Sequence, residues 1–87
     1  MIEEINGRVR KICGEVFRVD PDELSDDVRR GELDGWDSLG HLDLVSALEK
    51  QFSVRLRPEQ ALEIETIGDA KRVLARLLSD SNAVSDQ

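Results

Sequence analysis

Residues 38–52, SLGHLDLVSALEKQF, decide the fold. Leu39, Leu42, Val45, Leu48 and Phe52 fall three or four positions apart, and Leu44 broadens the stripe. Apolar side chains at that period line one face of an α-helix, whereas a strand needs alternation. The spacing predicts a helix from about Ser38 to Phe52, with Asp43, Glu49 and Lys50 on the opposite face. Asp37 and Ser38 both carry side-chain oxygens able to cap its first turn.

The same reasoning extends in both directions. Upstream, Ile2, Ile5, Val9, Ile12 and Val16 repeat at helical spacing, and Cys13 and Phe17 widen the stripe, which predicts a helix over roughly residues 2–17. In VDPDEL, Asp20 can cap, Pro21 can take the first helical position and Val19 can staple onto Leu24, which predicts one short turn. Ser25 to Gly35 is charged and reads as a long ordered loop pinned by Val28 and Leu33, with Trp36 closing it against the bundle. Downstream, Pro58 opens RPEQALEI, a stretch too short for more than two turns. Thr66 and Asp69 form a capping-box-like pair ahead of Ile67, Ala70, Val73, Leu74, Leu77 and Leu78, so a last helix is expected to end near Leu78. The polar stretch SDSNAVSDQ, residues 79–87, reads as a solvated tail after a domain of residues 1–78.

No segment alternates as a strand does, and no repeat is present. Three long helices and one short third helix, each with one apolar stripe, predict an all-α four-helix bundle around an aliphatic core.

Composition narrows the function. The 87 residues suit one small domain. Lys and Arg number 12 against 19 Asp and Glu, a net charge of −7, which repels phosphate backbones and argues against nucleic acid. No apolar run approaches the roughly 20 residues that span a bilayer, and no signal peptide is evident, so no membrane association and a cytoplasmic setting are expected. One Cys and one His can form neither an internal disulfide nor a Cys/His zinc site. Cys13 lies on an apolar stripe and reads as a small buried thiol.

Ser38 has three possible roles: cap, nucleophile or attachment point. A helix start offers backbone N–H groups without intrahelical acceptors beside the positive end of the dipole, a setting that suits an attached phosphate. His41 follows Ser38 by three residues, and the pair could mimic half of a hydrolase triad. Nothing nearby supplies an oxyanion hole, a deep pocket or a nucleophile elbow, so no catalytic residue is expected. His41 reads instead as a surface residue flanking whatever Ser38 carries.

The stretch DSLGHLDLVSALEKQFSVRL, residues 37–56, resembles the acyl carrier protein family, and the resemblance continues without a gap through LRPEQALEIETIGDAKRVL to Leu74. In that family an Asp-Ser-Leu signature opens the second helix of a small four-helix bundle. The resemblance implies that Ser38 carries 4′-phosphopantetheine, transferred from coenzyme A by a separate magnesium-dependent phosphopantetheinyl transferase. The arm would hold an acyl group as a thioester. Asp37 would support the modification, and Leu39, Asp43, Glu49, Arg55 and Leu62 would belong to the surface read by partners. Those partners would be the transferase, a loading ligase or acyltransferase, and downstream synthase or transferase enzymes acting on a monomeric carrier.

Several residues depart from the family's usual pattern. Gly40 stands where an acid is common, Lys50 adds a positive charge, and Arg55 and Arg57 occupy a loop more often acidic or proline-containing. Gly40 either leaves steric room beside Ser38 or is simply cheap near a helix start. The mixed charges suggest a dedicated pathway in place of bulk fatty-acid synthesis. An aminoacyl or peptidyl carrier is the alternative reading, although its serine more often follows a Gly-Gly pair and here Gly35 precedes Trp36.

Overall fold

A computed structural model of the chain describes residues 2–84. It contains four α-helices: α1 (Ile2–Phe17), α2 (Ser38–Phe52), α3 (Pro58–Glu63) and α4 (Ile67–Val84), with a 3₁₀ turn at Pro21–Glu23. The all-α bundle expected from the apolar periodicity is therefore the observed fold.

The core is aliphatic with an aromatic corner. Val9, Ile12, Cys13 and Phe17 of α1 meet Leu44, Leu48 and Phe52 of α2 and Ile67, Ala70, Val73 and Leu74 of α4, and Leu24, Trp36 and Ile64 fill in from the connections. Burying a large apolar side chain contributes ~1.5–3 kcal/mol, so this cluster supplies most of what opposes chain entropy in so small a domain. Burial pushes the Cys13 thiol up to about 12 despite the positive charge of Lys71, which acts the other way. It is the inert core thiol that its place on the stripe implies.

Local chemistry sets the ends of the elements. Asp20 caps the 3₁₀ turn by accepting the Asp22 N–H at 2.9 Å, with Pro21 in the first position as expected. The α4 capping box forms as read: the Asp69 N–H donates to Thr66 Oγ1 at 3.0 Å and the Thr66 N–H returns to Asp69 Oδ2 at 3.1 Å. Asp69 Oδ2 also accepts the Glu65 N–H. Burial alone would raise this carboxyl, but the Glu65 and Thr66 amides, the Arg72 guanidinium and the Thr66 hydroxyl together hold it below the ordinary carboxylate range.

Two expectations change. α4 does not stop near Leu78 but continues to Val84. The residues after Leu78 include neither Gly nor Pro before the helix end, so nothing breaks the backbone ladder once α4 is nucleated on the core. The remainder of the expected tail, residues 85–87, lies outside the described residues.

The loop between Ser25 and Gly35 is ordered, and Val28 and Leu33 are half-buried against the core as expected. Its main anchor is one that periodicity could not reveal. Arg30 donates its N–H to Glu65 O at 2.7 Å, Ile67 donates to Val28 O at 3.1 Å and Gly68 to Asp26 O at 3.0 Å, around an isolated antiparallel bridge between Arg29 and Thr66. The loop's carbonyls thus satisfy the first N–H groups of α4, which would otherwise have no acceptor. Lys71, almost fully buried, pairs its ammonium with the more exposed Asp26 on the same loop.

Candidate functional site

The site is the start of α2, and its position is fixed from both sides. Upstream, the Trp36 N–H donates to Leu33 O at 3.0 Å and Trp36 O accepts the Gly31 N–H at 3.0 Å, which closes the loop into a compact turn. The Trp36 ring is fully buried and stacks on Phe17, centroids 5.2 Å apart. This is the closing role read for Trp36.

Asp37 is the N-cap. Its backbone is extended, its Oδ1 accepts the Gly40 N–H at 2.9 Å, and its carbonyl accepts the His41 N–H at 2.8 Å. Ser38 is the first residue of the helix and is exposed. Because Asp37 does the capping, the Ser38 hydroxyl is not needed to close the turn.

Gly40 is buried, and the structure decides between its two readings. A Cβ built there would stand 1.7 Å from Gly35 O. The reason is steric, but the room serves the loop carbonyl and not a group attached to Ser38. With a hydrogen in place of a side chain, the pre-helix loop can pass directly over the first turn of α2.

His41 corrects the sequence reading. It is 7 % exposed, not a surface residue. Its Nδ1 accepts the Trp36 Nε1–H at 3.0 Å, and its Nε2 lies 2.9 Å from Ala61 O on α3. With both ring nitrogens engaged away from Ser38, the imidazole is not the serine's base.

The outward face of α2 also differs from the stripe drawn on it. Leu39 is 74 % exposed and Leu42 62 % exposed, and the core is reached through His41, Leu44, Leu48 and Phe52. A leucine at every third or fourth position satisfies two neighbouring helix faces at once, and only the packing partners choose between them. Leu39 is thus exposed where the resemblance places a partner contact, and Leu42 joins it, a residue that periodicity had assigned to the core. The signal that could have found Leu42 is the competing register 41, 44, 48, 52, which admits a histidine into the core.

Of the remaining expected surface residues, Asp43 is exposed on the same face and Leu62 stands out from α3 at 66 % exposure. Arg55 is exposed in the loop beyond α2. Glu49 is half-buried and has an internal task, since its Oε2 accepts the Leu56 N–H at 2.8 Å and fixes the exit of the chain from α2. The structure therefore groups Asp37, Ser38, Leu39, Leu42 and Asp43 at one end of α2 and leaves Arg55 near the other. An exposed hydroxyl at a helix start, with an acid and an apolar side chain beside it, fits a covalently attached phosphate: the dipole favours the negative charge by ~0.3–1 kcal/mol.

The family profile described as phosphopantetheine attachment site matches residues 7–74, a span that includes this helix start. The chain belongs to the acyl carrier protein family. It is 40 % identical over 62 residues to an acyl carrier protein of Sulfurovum sp. (strain NBC37-1), covering 71 % of this chain and 83 % of that one. It is 33 % identical over 73 residues to an acyl carrier protein of Caulobacter vibrioides, covering 84 % and 94 %. Its fold is similar to the solution NMR structure of the holo acyl carrier protein from Geobacter metallireducens, with a TM-score of 0.78, 22 % identity and 90 % of each chain covered. As an acyl carrier protein the chain is a carrier and not a catalyst, and its prosthetic group is 4′-phosphopantetheine. Carriers of this family act by interacting with enzymes. No described helix is long and apolar enough to cross a membrane.

Proposed function

We propose that Ser38 is the attachment point and that the chain holds acyl intermediates as thioesters for the enzymes of a dedicated pathway. The observation that carries this reading is the exposed Ser38 hydroxyl, first in α2 and released from capping by Asp37. In the modification, Ser38 Oγ bonds to the phosphorus next to the pantetheine in coenzyme A, the pyrophosphate linkage breaks, and the adenosine bisphosphate leaves. The serine proton goes to a base of the transferase, because both nitrogens of the neighbouring His41 are occupied by Trp36 and Ala61. Asp37 keeps an exposed carboxylate beside the hydroxyl, suited to a transferase metal ion. When bound, the prosthetic group supplies a thiol on a long flexible arm.

The partner surface in this reading is the apolar group Leu39, Leu42 and Leu62 with Asp43 at the serine end, and Lys50, Arg55 and Arg57 toward the far end. Docking on such a face selects an enzyme carrying an apolar depression flanked by charges of both signs, since interface charges steer encounter and exclude wrong partners. This mixed face supports a dedicated pathway over a common fatty-acid one.

The test is co-expression with a broad-specificity phosphopantetheinyl transferase, followed by intact-mass measurement. The expected result is a mass gain of one phosphopantetheinyl group in the native chain and none in Ser38→Ala, whose helical spectrum is unchanged. An unmodified native chain would refute the reading. Identification of the thioester captured on the arm in its native host separates an acyl from an aminoacyl cargo.

A further inference from the structure

α3 is weakly held by its own residues. None of Pro58–Glu63 is buried. The Glu63–Arg76 ion pair, 3.6 Å apart, joins two half-exposed groups and adds little. The hydrogen bond from the Arg57 N–H to Gln60 Oε1 is internal to the segment. Buried Ile64 fixes the chain just after the helix, and among the described residues the contact between His41 Nε2 and Ala61 O is the part-buried polar link from α3 to the bundle, beside the exposed ion pair. Ala61 O lies in the last turn, where carbonyls lack i+4 donors, and besides His41 it accepts the Ile64 N–H at 3.2 Å.

The other side of the imidazole is equally constrained. An indole N–H can only donate, so the Trp36 hydrogen bond requires a bare Nδ1 and places the neutral ring's proton on Nε2, the nitrogen facing Ala61 O. Indole and imidazole lie 14° from parallel with centroids 6.4 Å apart, and the indole is itself stacked on Phe17. The ring has little freedom to swing away. Trp36 stands two residues before Ser38 and His41 three residues after it, so one relay brackets the serine and reaches α3.

We infer that the chain of hydrogen bonds Trp36–His41–Ala61 is a latch that locks α3 to the serine-bearing end of α2, with His41 a positioning residue for the face shown to partner enzymes. The second half of this inference rests on the carrier reading of Ser38. Leu42 and Leu62 are the sequence neighbours of His41 and Ala61, so the latch sets how these two exposed leucines stand relative to each other. Opening it frees a helix that has no buried residue of its own while α1, α2 and α4 keep their core.

Two substitutions divide the latch. His41→Asn places an acceptor near Nδ1 for Trp36 but does not reach Ala61, whereas His41→Gln places a donor near Nε2 for Ala61 and leaves the indole N–H without its partner. Hydrogen exchange by NMR on the full chain is expected to show the Ala61 and Ile64 amides exchanging about fivefold to tenfold faster in His41→Asn, as loss of one net hydrogen bond implies, with the Trp36 indole N–H still protected. His41→Gln is expected to show the reverse. Imidazole ¹⁵N shifts should report a single Nε2–H tautomer in the native chain and a mixture in Trp36→Phe. Unchanged α3 amides in His41→Asn, or equal acceleration in α1, α2 and α4, would overturn the latch.

For the partner face, transferase kinetics should show KM for His41→Asn raised severalfold at unchanged kcat, because the Asp37 cap is untouched, and KM near native for His41→Gln. Equal KM values in all three proteins would overturn the positioning role. If the native chain is not modified on Ser38, the carrier reading fails, and the exchange measurement still decides the latch.

Discussion

The carbonyl oxygen of Gly35 lies directly over Gly40, only 1.7 Å from where a Cβ at Gly40 would sit. This contact presses the loop before the serine onto the first turn of the helix that carries it. Fold and site therefore meet at a residue with no side chain.

Gly40→Ala is expected to destabilise the domain by ~1–3 kcal/mol, although alanine raises helix propensity by up to ~1 kcal/mol. The obstructing atom is backbone and cannot rotate aside. Urea unfolding should show a lower midpoint, and under the proposed attachment at Ser38 the displaced loop should slow addition of the arm. A midpoint at or above the native value would show that the loop yields freely.

Asp37 offers a separation of structural and chemical roles. Asp37→Ala removes the acceptor for the Gly40 N–H and should cost ~0.5–2 kcal/mol. Asp37→Asn keeps an acceptor oxygen and should stay within about 0.5 kcal/mol of native, as capping asparagine matches aspartate. If the carboxylate also serves the transferase, both variants are modified slowly, and the stable Asn variant shows that the slowing is not a folding defect.

The Asp69 carboxyl is held below the ordinary range in the folded chain, chiefly by the Glu65 and Thr66 amides acting against burial. A group with a lowered folded pKa binds protons more readily when unfolded, so its stabilisation is present above the unfolded value and lost as pH falls through the folded one. Stability measured by urea titration should therefore fall below about pH 4, the unperturbed aspartate range. Asp69→Asn should be less stable at pH 7 and show a shallower acid decline.

Cys13, with its thiol pushed up to about 12 by burial, should resist alkylation at pH 8 until the chain unfolds. The thiol's raised value means its contribution is complete below the unfolded thiol range and declines above about pH 9, where the unfolded chain ionises first. Labelling followed by mass spectrometry, with and without urea, checks this. Fast labelling of the folded protein would contradict the buried placement.

Much of the bundle was readable in order along the chain. The starts of α2 and α3, the Asp20 turn and the Thr66–Asp69 box depend on residues within a few positions of one another, so local sequence fixes them. The α1 and α4 stripes were unambiguous for the same reason. Asp37, Ser38 and Leu39 were legible as a candidate site because the residues that carry the family resemblance are contiguous.

What local order could not decide is which face of α2 turns inward. Leu39, Leu42, Leu44 and Leu48 satisfy two registers, and only the packing of Phe17 and Trp36 beside them brings His41 into the core and turns Leu39 and Leu42 to solvent. The tie between the loop and α4 was hidden likewise, because Arg30 and Glu65 are far apart in the chain and meet through backbone groups common to every residue. Periodicity records how often a side chain returns to a face, not what waits there. The sequence by itself determined that four helices form, where they start and which serine is the candidate attachment point, and only the tertiary structure decided that Gly40 receives a carbonyl and that His41 joins Trp36 to α3, because both depend on atoms the folded chain brings together.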